Sequence, residues 1–150
     1  GIASARCPGR SEVADPAPLT IVDGGHLPQG AEALAASLAD LLGEEGRASV
    51  DFALGVLADK DYPAMVRAVA PWARSFSVYA PRSPRALAAE ELAACVRKVL
   101  GEEGRADDVP VRVCSAPADA LSAARAAAGP EGCAVAFGTL YAIADLMAAL

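Results

Sequence analysis

No G-x-x-x-x-G-K-[ST] phosphate loop occurs anywhere in the 150 residues, so the chain by itself lacks the equipment to hydrolyse or transfer a phosphate. The G-x-G-x-x-G dinucleotide fingerprint is also missing. Cysteine and histidine are scarce: Cys7, Cys95, Cys114 and Cys133 lie far apart with no C-x-x-C pair, and His26 is the one histidine. That distribution excludes a zinc site and a disulfide framework, and points to a reducing, cytoplasmic setting. Cys95, Cys114 and Cys133 fall in apolar runs and read as buried thiols. No Ser-His-Asp arrangement stands in an activating context.

Charge and hydropathy close off other classes. The net charge is −6, whereas non-specific nucleic-acid binding needs a basic stripe that displaces counterions. No lysine-rich helix offers a seat on an acidic membrane. Hydrophobic residues make up 54% of the chain, yet no run approaches the roughly 18 uninterrupted apolar residues of a transmembrane helix. The alanine-rich stretches 31–39 and 116–128 are interrupted by Glu32, Asp119 and Arg125, with Asp40 just beyond the first. They read as surface helices of a soluble fold, and alanine suits helices packed closely on a sheet. The amino terminus has no signal-peptide shape. It starts abruptly, close to a motif, as expected of a piece cut from a longer protein.

What is present is an alternation of short apolar strands with segments of helical period. Strands are expected at 9–13, 19–22, 49–56, 75–79, 111–114 and 133–137. Helices are expected at 30–42, from Tyr62-Pro63 onward, at 89–100, at 117–128 and at 140–150. One heptapeptide occurs twice: Leu42-Gly43-Glu44-Glu45-Gly46-Arg47-Ala48 returns as Leu100-Gly101-Glu102-Glu103-Gly104-Arg105-Ala106. Both copies read as glycine-terminated helix ends, with Gly43 and Gly101 in the left-handed cap conformation. Nothing else recurs at that period, so a repeat architecture is not expected.

Strands spaced by helices call for a mostly parallel sheet covered on both faces, and such sheets bind ligands beyond the carboxyl ends of their strands. The polar and glycine-rich loops do follow strands. In Asp23-Gly24-Gly25-His26, glycines permit close backbone approach to a ligand. Asp23 can accept from ribose hydroxyls, and His26 can meet a phosphate or carboxylate. Equally, Asp23 can cap the next helix while His26 is merely solvated. In Asp59-Lys60-Asp61, Lys60 can grip a carboxylate as a point charge, or the three charges can form a solvated turn with Asp61 as an N-cap. Gly138-Thr139-Leu140-Tyr141 joins the last strand to a helix, where free amides and the dipole make an anion seat. Thr139 can serve as the cap there as well, and Tyr141 reads as helix packing. Arg10 can fork a phosphate or lie on an edge strand as an ordinary surface arginine.

In this order the four segments resemble the carboxy-terminal domain of the folylpolyglutamate synthase/dihydrofolate synthase family, within the Mur ligase superfamily. That family shows patterns similar to R-W-P-G-R-L-E, D-G-A-H-N-P, F-G-x-L-x-D-K-D and G-S-L-Y. Here they stand as residues 6–12, 23–28, 54–61 and 138–141, with Cys7 for tryptophan, Ser11 for leucine, Gly25 for alanine, Leu27 for asparagine and Thr139 for serine. The resemblance implies a Rossmann-like three-layer α/β/α domain with a six-stranded sheet, mostly parallel with one antiparallel strand. It implies that residues 1–150 are the glutamate-ligase domain, with an ATPase domain absent from this chain that holds the phosphate loop, magnesium and the folate pocket. ATP would phosphorylate the carboxylate of dihydropteroate or folate, and L-glutamate would attack the acyl phosphate. By position Arg10, Asp23 and His26 would contact the nucleotide, with His26 also at the reacting groups, while Lys60 and Thr139 would hold the incoming glutamate. Two other readings remain beside it: a stand-alone, non-catalytic binding module, or a Mur-type amino-acid ligase with another acceptor.

Overall fold

A computed structural model describes residues 12–16, 19–24 and 27–139. Among these residues six strands form one sheet: β1 (Glu12–Pro16), β2 (Leu19–Asp23), β3 (Val50–Leu54), β4 (Ala73–Val78), β5 (Val111–Val113) and β6 (Cys133–Phe137). They lie in the order β1-β2-β6-β3-β4-β5. The β1–β2 pairing is antiparallel, with a bulge between Val13 and Asp15, and every other pairing is parallel. Among the described residues there are four α-helices: α1 (Pro28–Leu42), α2 (Tyr62–Val69), α3 (Ala89–Glu102) and α4 (Pro117–Ala128). The described residues adopt the expected three-layer α/β architecture, with one antiparallel strand among six.

The central strands explain the layering. Every residue of β3 and β6 is buried, as strands covered on both faces require. Their alternation sends large side chains one way and alanines the other. Phe52, Leu54, Val135 and Phe137 pack with Leu34 and Leu38 of α1, Met65 and Val66 of α2, and Leu92 and Val96 of α3. Phe52 stacks on Phe76 at 5.3 Å between centroids and meets Phe137 edge-on at 5.9 Å. On the other face Ala53, Ala134 and Ala136 receive Ala120, Leu121 and Ala124 of α4. Alanine against alanine lets α4 sit close to the sheet, which is why its run is so poor in large residues.

One buried polar cluster interrupts the apolar pattern. Asp51, fully buried in β3, accepts from Ser75 Oγ at 2.6 Å and from Arg74 Nη2 at 2.6 Å. The same Arg74 nitrogen donates to the carbonyl of Ala127 at 2.7 Å, fastening the end of α4 to the amino-terminal side of the sheet. A buried carboxylate is tolerable only when so satisfied.

The duplicated heptapeptide takes two conformations. In the first copy Gly43 ends α1 at φ 71°, its N–H donating to Ala39, and a 3-10 turn follows over Glu44–Gly46. In the second copy α3 runs on through Gly101 to Glu102, and the positive φ falls on Gly104 at 71°. The cap expected at Gly101 is therefore displaced by one turn. Tertiary contacts account for it: the Arg105 guanidinium donates to the carbonyls of Ala70 and Ala73, holding the extended end of α3 against the start of β4. Arg47, its counterpart, lies over the Trp72 ring instead, 5.2 Å from the centroid. Remaining differences from the sequence are shifts of element ends. β3 is shorter than the expected 49–56 because Gly55 and Val56 leave the sheet, and β4 begins at Ala73. α1 starts at Pro28, a residue suited to a first helical turn. The expected helix 140–150, the segment 9–11 and Cys7 lie outside the described residues.

Candidate functional site at the carboxyl edge of the sheet

Register levels the strand ends. Asp23 pairs with Phe137, Phe137 with Leu54, and Leu54 with Val78. The loops that leave these strands therefore start side by side, and three of them carry Asp23, Thr139 and Lys60. Asp23 is 7% exposed at the end of β2, and Thr139 is 2% exposed, two residues beyond β6. Both take part in polar interactions. Arg10 and His26 lie outside the described residues, as does Tyr141.

The alternative role for Asp23 falls away. The N-cap of α1 is Leu27, with extended backbone and no side-chain cap bond, so Asp23 does not cap that helix. Leu27 itself is 46% exposed, an apolar side chain at the mouth of this edge. The helix that Thr139 is expected to cap lies outside the described residues.

Two glycines allow the loops to close on one another. Gly138 has φ 125°, and a Cβ there would stand 2.1 Å from the carbonyl oxygen of Gly55. A Cβ on Gly55 would in turn stand 2.4 Å from the ring of Tyr79, just past β4. Three strand ends thus meet in backbone-to-backbone and backbone-to-ring contact, possible only where side chains are missing.

Lys60 sits in the loop between β3 and α2. The expected N-cap holds: Asp61 Oδ1 accepts from the Ala64 N–H at 3.3 Å. The same loop is tied to the one after β4 by an isolated antiparallel bridge, Leu57 with Ala86. Ala58 N–H donates to Arg85 O at 2.7 Å, and Leu87 N–H to Val56 O at 3.0 Å. Asp59 meets Arg85 Nη1 at 2.9 Å. Arg85 belongs to none of the sequence motifs; the prolines at 81 and 84 are the available hint of an ordered turn there.

The described cysteines stand apart from this edge chemically. Burial pushes the Cys133 thiol up to about 11, with the nearby Asp51 carboxylate adding to the rise. Burial likewise raises Cys95 and Cys114, both half-buried rather than fully buried as expected. Raised thiols stay protonated at neutral pH and make poor nucleophiles. Among the described residues no three His, Cys, Asp or Glu side chains gather as a metal site.

A family model described as the Mur ligase, glutamate ligase domain matches residues 9–140. The chain belongs to that family. The chain is similar to parts of several folate enzymes. The dihydrofolate synthase/folylpolyglutamate synthase of Mycobacterium tuberculosis is 37% identical over 103 residues, covering 69% of this chain and 20% of the relative. A structure of Mycobacterium tuberculosis folylpolyglutamate synthase complexed with ADP superimposes with a TM-score of 0.79 at 29% identity, covering 96% of this chain and 32% of that one. The bifunctional folylpolyglutamate synthase/dihydrofolate synthase of Yersinia pestis, complexed with AMPPNP and a Mn ion, gives 0.80 at 26% identity, with 97% and 32% covered. The glutamate-ligase domain thus spans only a fraction of these proteins. Among its described residues no helix is long and apolar enough to cross a membrane.

Proposed function

We propose that this domain supplies the glutamate-binding half of an ATP-dependent ligase that joins L-glutamate to folate or dihydropteroate. The observation that carries the reading is the shared carboxyl edge. Asp23, Thr139 and Lys60 leave three neighbouring, levelled strands, so a nucleotide and an amino acid can be held next to each other. Asp23 faces the ribose of the nucleotide. The hydroxyl of Thr139 and the ammonium of Lys60 hold the glutamate carboxylates, with Arg10 on the nucleotide phosphates and His26 between the two ligands.

ATP is consumed as a substrate: its γ-phosphoryl group passes to the acceptor carboxylate, releasing ADP, and the glutamate amine attacks the resulting acyl phosphate to form the amide and expel inorganic phosphate. This domain contributes by placement and by offsetting charge, not by bond-making groups of its own. The small share of each relative that the chain spans supports a partner domain carrying the phosphate loop, the acceptor pocket and magnesium. ADP and AMPPNP with Mn in the structural relatives support nucleotide and metal use by the assembled enzyme.

The test is kinetic, in the full-length ligase. Lys60→Ala should raise the glutamate KM by about tenfold or more, the loss of a charge-assisted bond, while the ATP KM stays unchanged. A proportionate rise in both, or in neither, contradicts the assignment.

A further inference from the structure

We propose that Arg85 is a positioning residue whose ion pair with Asp59 keeps that carboxylate off Lys60, leaving the lysine ammonium available to a substrate carboxylate. The inference rests on the glutamate-binding reading of Lys60 given above.

The sequence sets a problem that the structure resolves. Lys60 is flanked by two carboxylates, either of which can neutralise it and compete with an incoming acid. Both are engaged elsewhere. Asp61 is turned into the first turn of α2, where it accepts from the Ala64 N–H. Asp59 pairs with Arg85 Nη1 at 2.9 Å. Lys60 is left with no hydrogen bond or ion pair from its side chain among the described residues, while its backbone is fixed by Lys60 N–H to Leu57 O and Tyr62 N–H to Lys60 O.

Arg85 is held for this purpose by its own loop. Its N–H donates to Ser83 Oγ at 3.1 Å, and its carbonyl accepts from Ala58 N–H at 2.7 Å. The neighbouring Ala86 pairs with Leu57 across the two loops. The guanidinium therefore reaches Asp59 from a backbone already bridged to the Lys60 loop. Both side chains of the pair are 50% exposed, and a pair that exposed adds little to folding. Its consequence is the local charge pattern: the four side chains Asp59, Lys60, Asp61 and Arg85 sum to zero with the arginine and to one net negative charge without it.

The experiment is steady-state kinetics on variants of the full-length ligase, with Lys60→Ala as reference. Arg85→Ala should raise the glutamate KM about fivefold, the effect of one uncompensated charge a few ångströms away at an exposed site. The ATP KM and the melting temperature should not move, and Arg85→Lys should restore most of the loss. Adding Asp59→Asn to Arg85→Ala should return the glutamate KM to that of Asp59→Asn alone, because the competing carboxylate is gone. A defect that persists in the double variant overturns the proposal, since Arg85 would then act on the substrate or the fold directly. So does a silent Arg85→Ala beside an impaired Lys60→Ala. A silent Lys60→Ala overturns the glutamate reading itself, and the proposal with it.

Discussion

The carbonyl oxygen of Gly55 occupies the space that a side chain on Gly138 would need, 2.1 Å from where its Cβ would be. The contact joins the loop carrying Lys60 to the one carrying Thr139, so the two proposed glutamate contacts share one backbone junction.

Gly138→Ala should therefore act on stability and substrate together. An alanine at φ 125° is strained as well as obstructed, and we expect a loss of about 1–3 kcal/mol of stability. The glutamate KM should rise because Thr139 is the next residue. Chemical denaturation with parallel kinetics checks both; a variant that is destabilised with an unchanged glutamate KM would show that Thr139 is not part of the seat.

The duplicated heptapeptide makes an asymmetric prediction. Gly43→Ala places a side chain at φ 71° and should cost roughly 1–2 kcal/mol. Gly101→Ala lies inside α3, with nothing within 4 Å of the new methyl, and should stabilise by roughly 0.5–1 kcal/mol. Thermal melts of the two variants should shift in opposite directions, and shifts of the same sign would contradict the displaced helix end.

Asp51 offers a test away from the proposed site. Asp51→Ala leaves Ser75 Oγ buried without its acceptor and frees Arg74 from the sheet, for an expected loss of about 1–3 kcal/mol. Kinetic constants of the assembled enzyme should be unaffected at temperatures where it stays folded. A changed glutamate KM would place Asp51 in communication with the carboxyl edge.

Much of this was legible because short-range chemistry and long-range packing agree. Pro117–Ala128 and Cys133–Phe137 take the expected bounds, since a proline opens the first and a glycine-free apolar run defines the second. Asp61 reads as a cap from its place before Tyr62-Pro63, and it caps. Where the two levels part, the sequence misleads. Gly101 carries the same neighbours as Gly43, yet contacts from Arg105 to Ala70 and Ala73 carry the helix past it. The pairing of Asp59 with Arg85 joins residues 26 positions apart, and no periodicity reports on that. Asp51 escaped because a lone acid in an apolar strand gives no sign of its partner until Arg74 and Ser75 are seen on the neighbouring strand.

The division of β3 and β6 into a bulky face and an alanine face also bears on how the domain tolerates change. On the side of α1, α2 and α3, trimming a residue such as Phe52 opens a void, so the harmful direction is toward smaller. On the side of α4, enlarging Ala53 or Ala136 forces helix and sheet apart, so the harmful direction is toward larger. Adjacent positions along one strand thus obey opposite size constraints. A library that varies volume alone would separate the two faces of the sheet without any structure at hand.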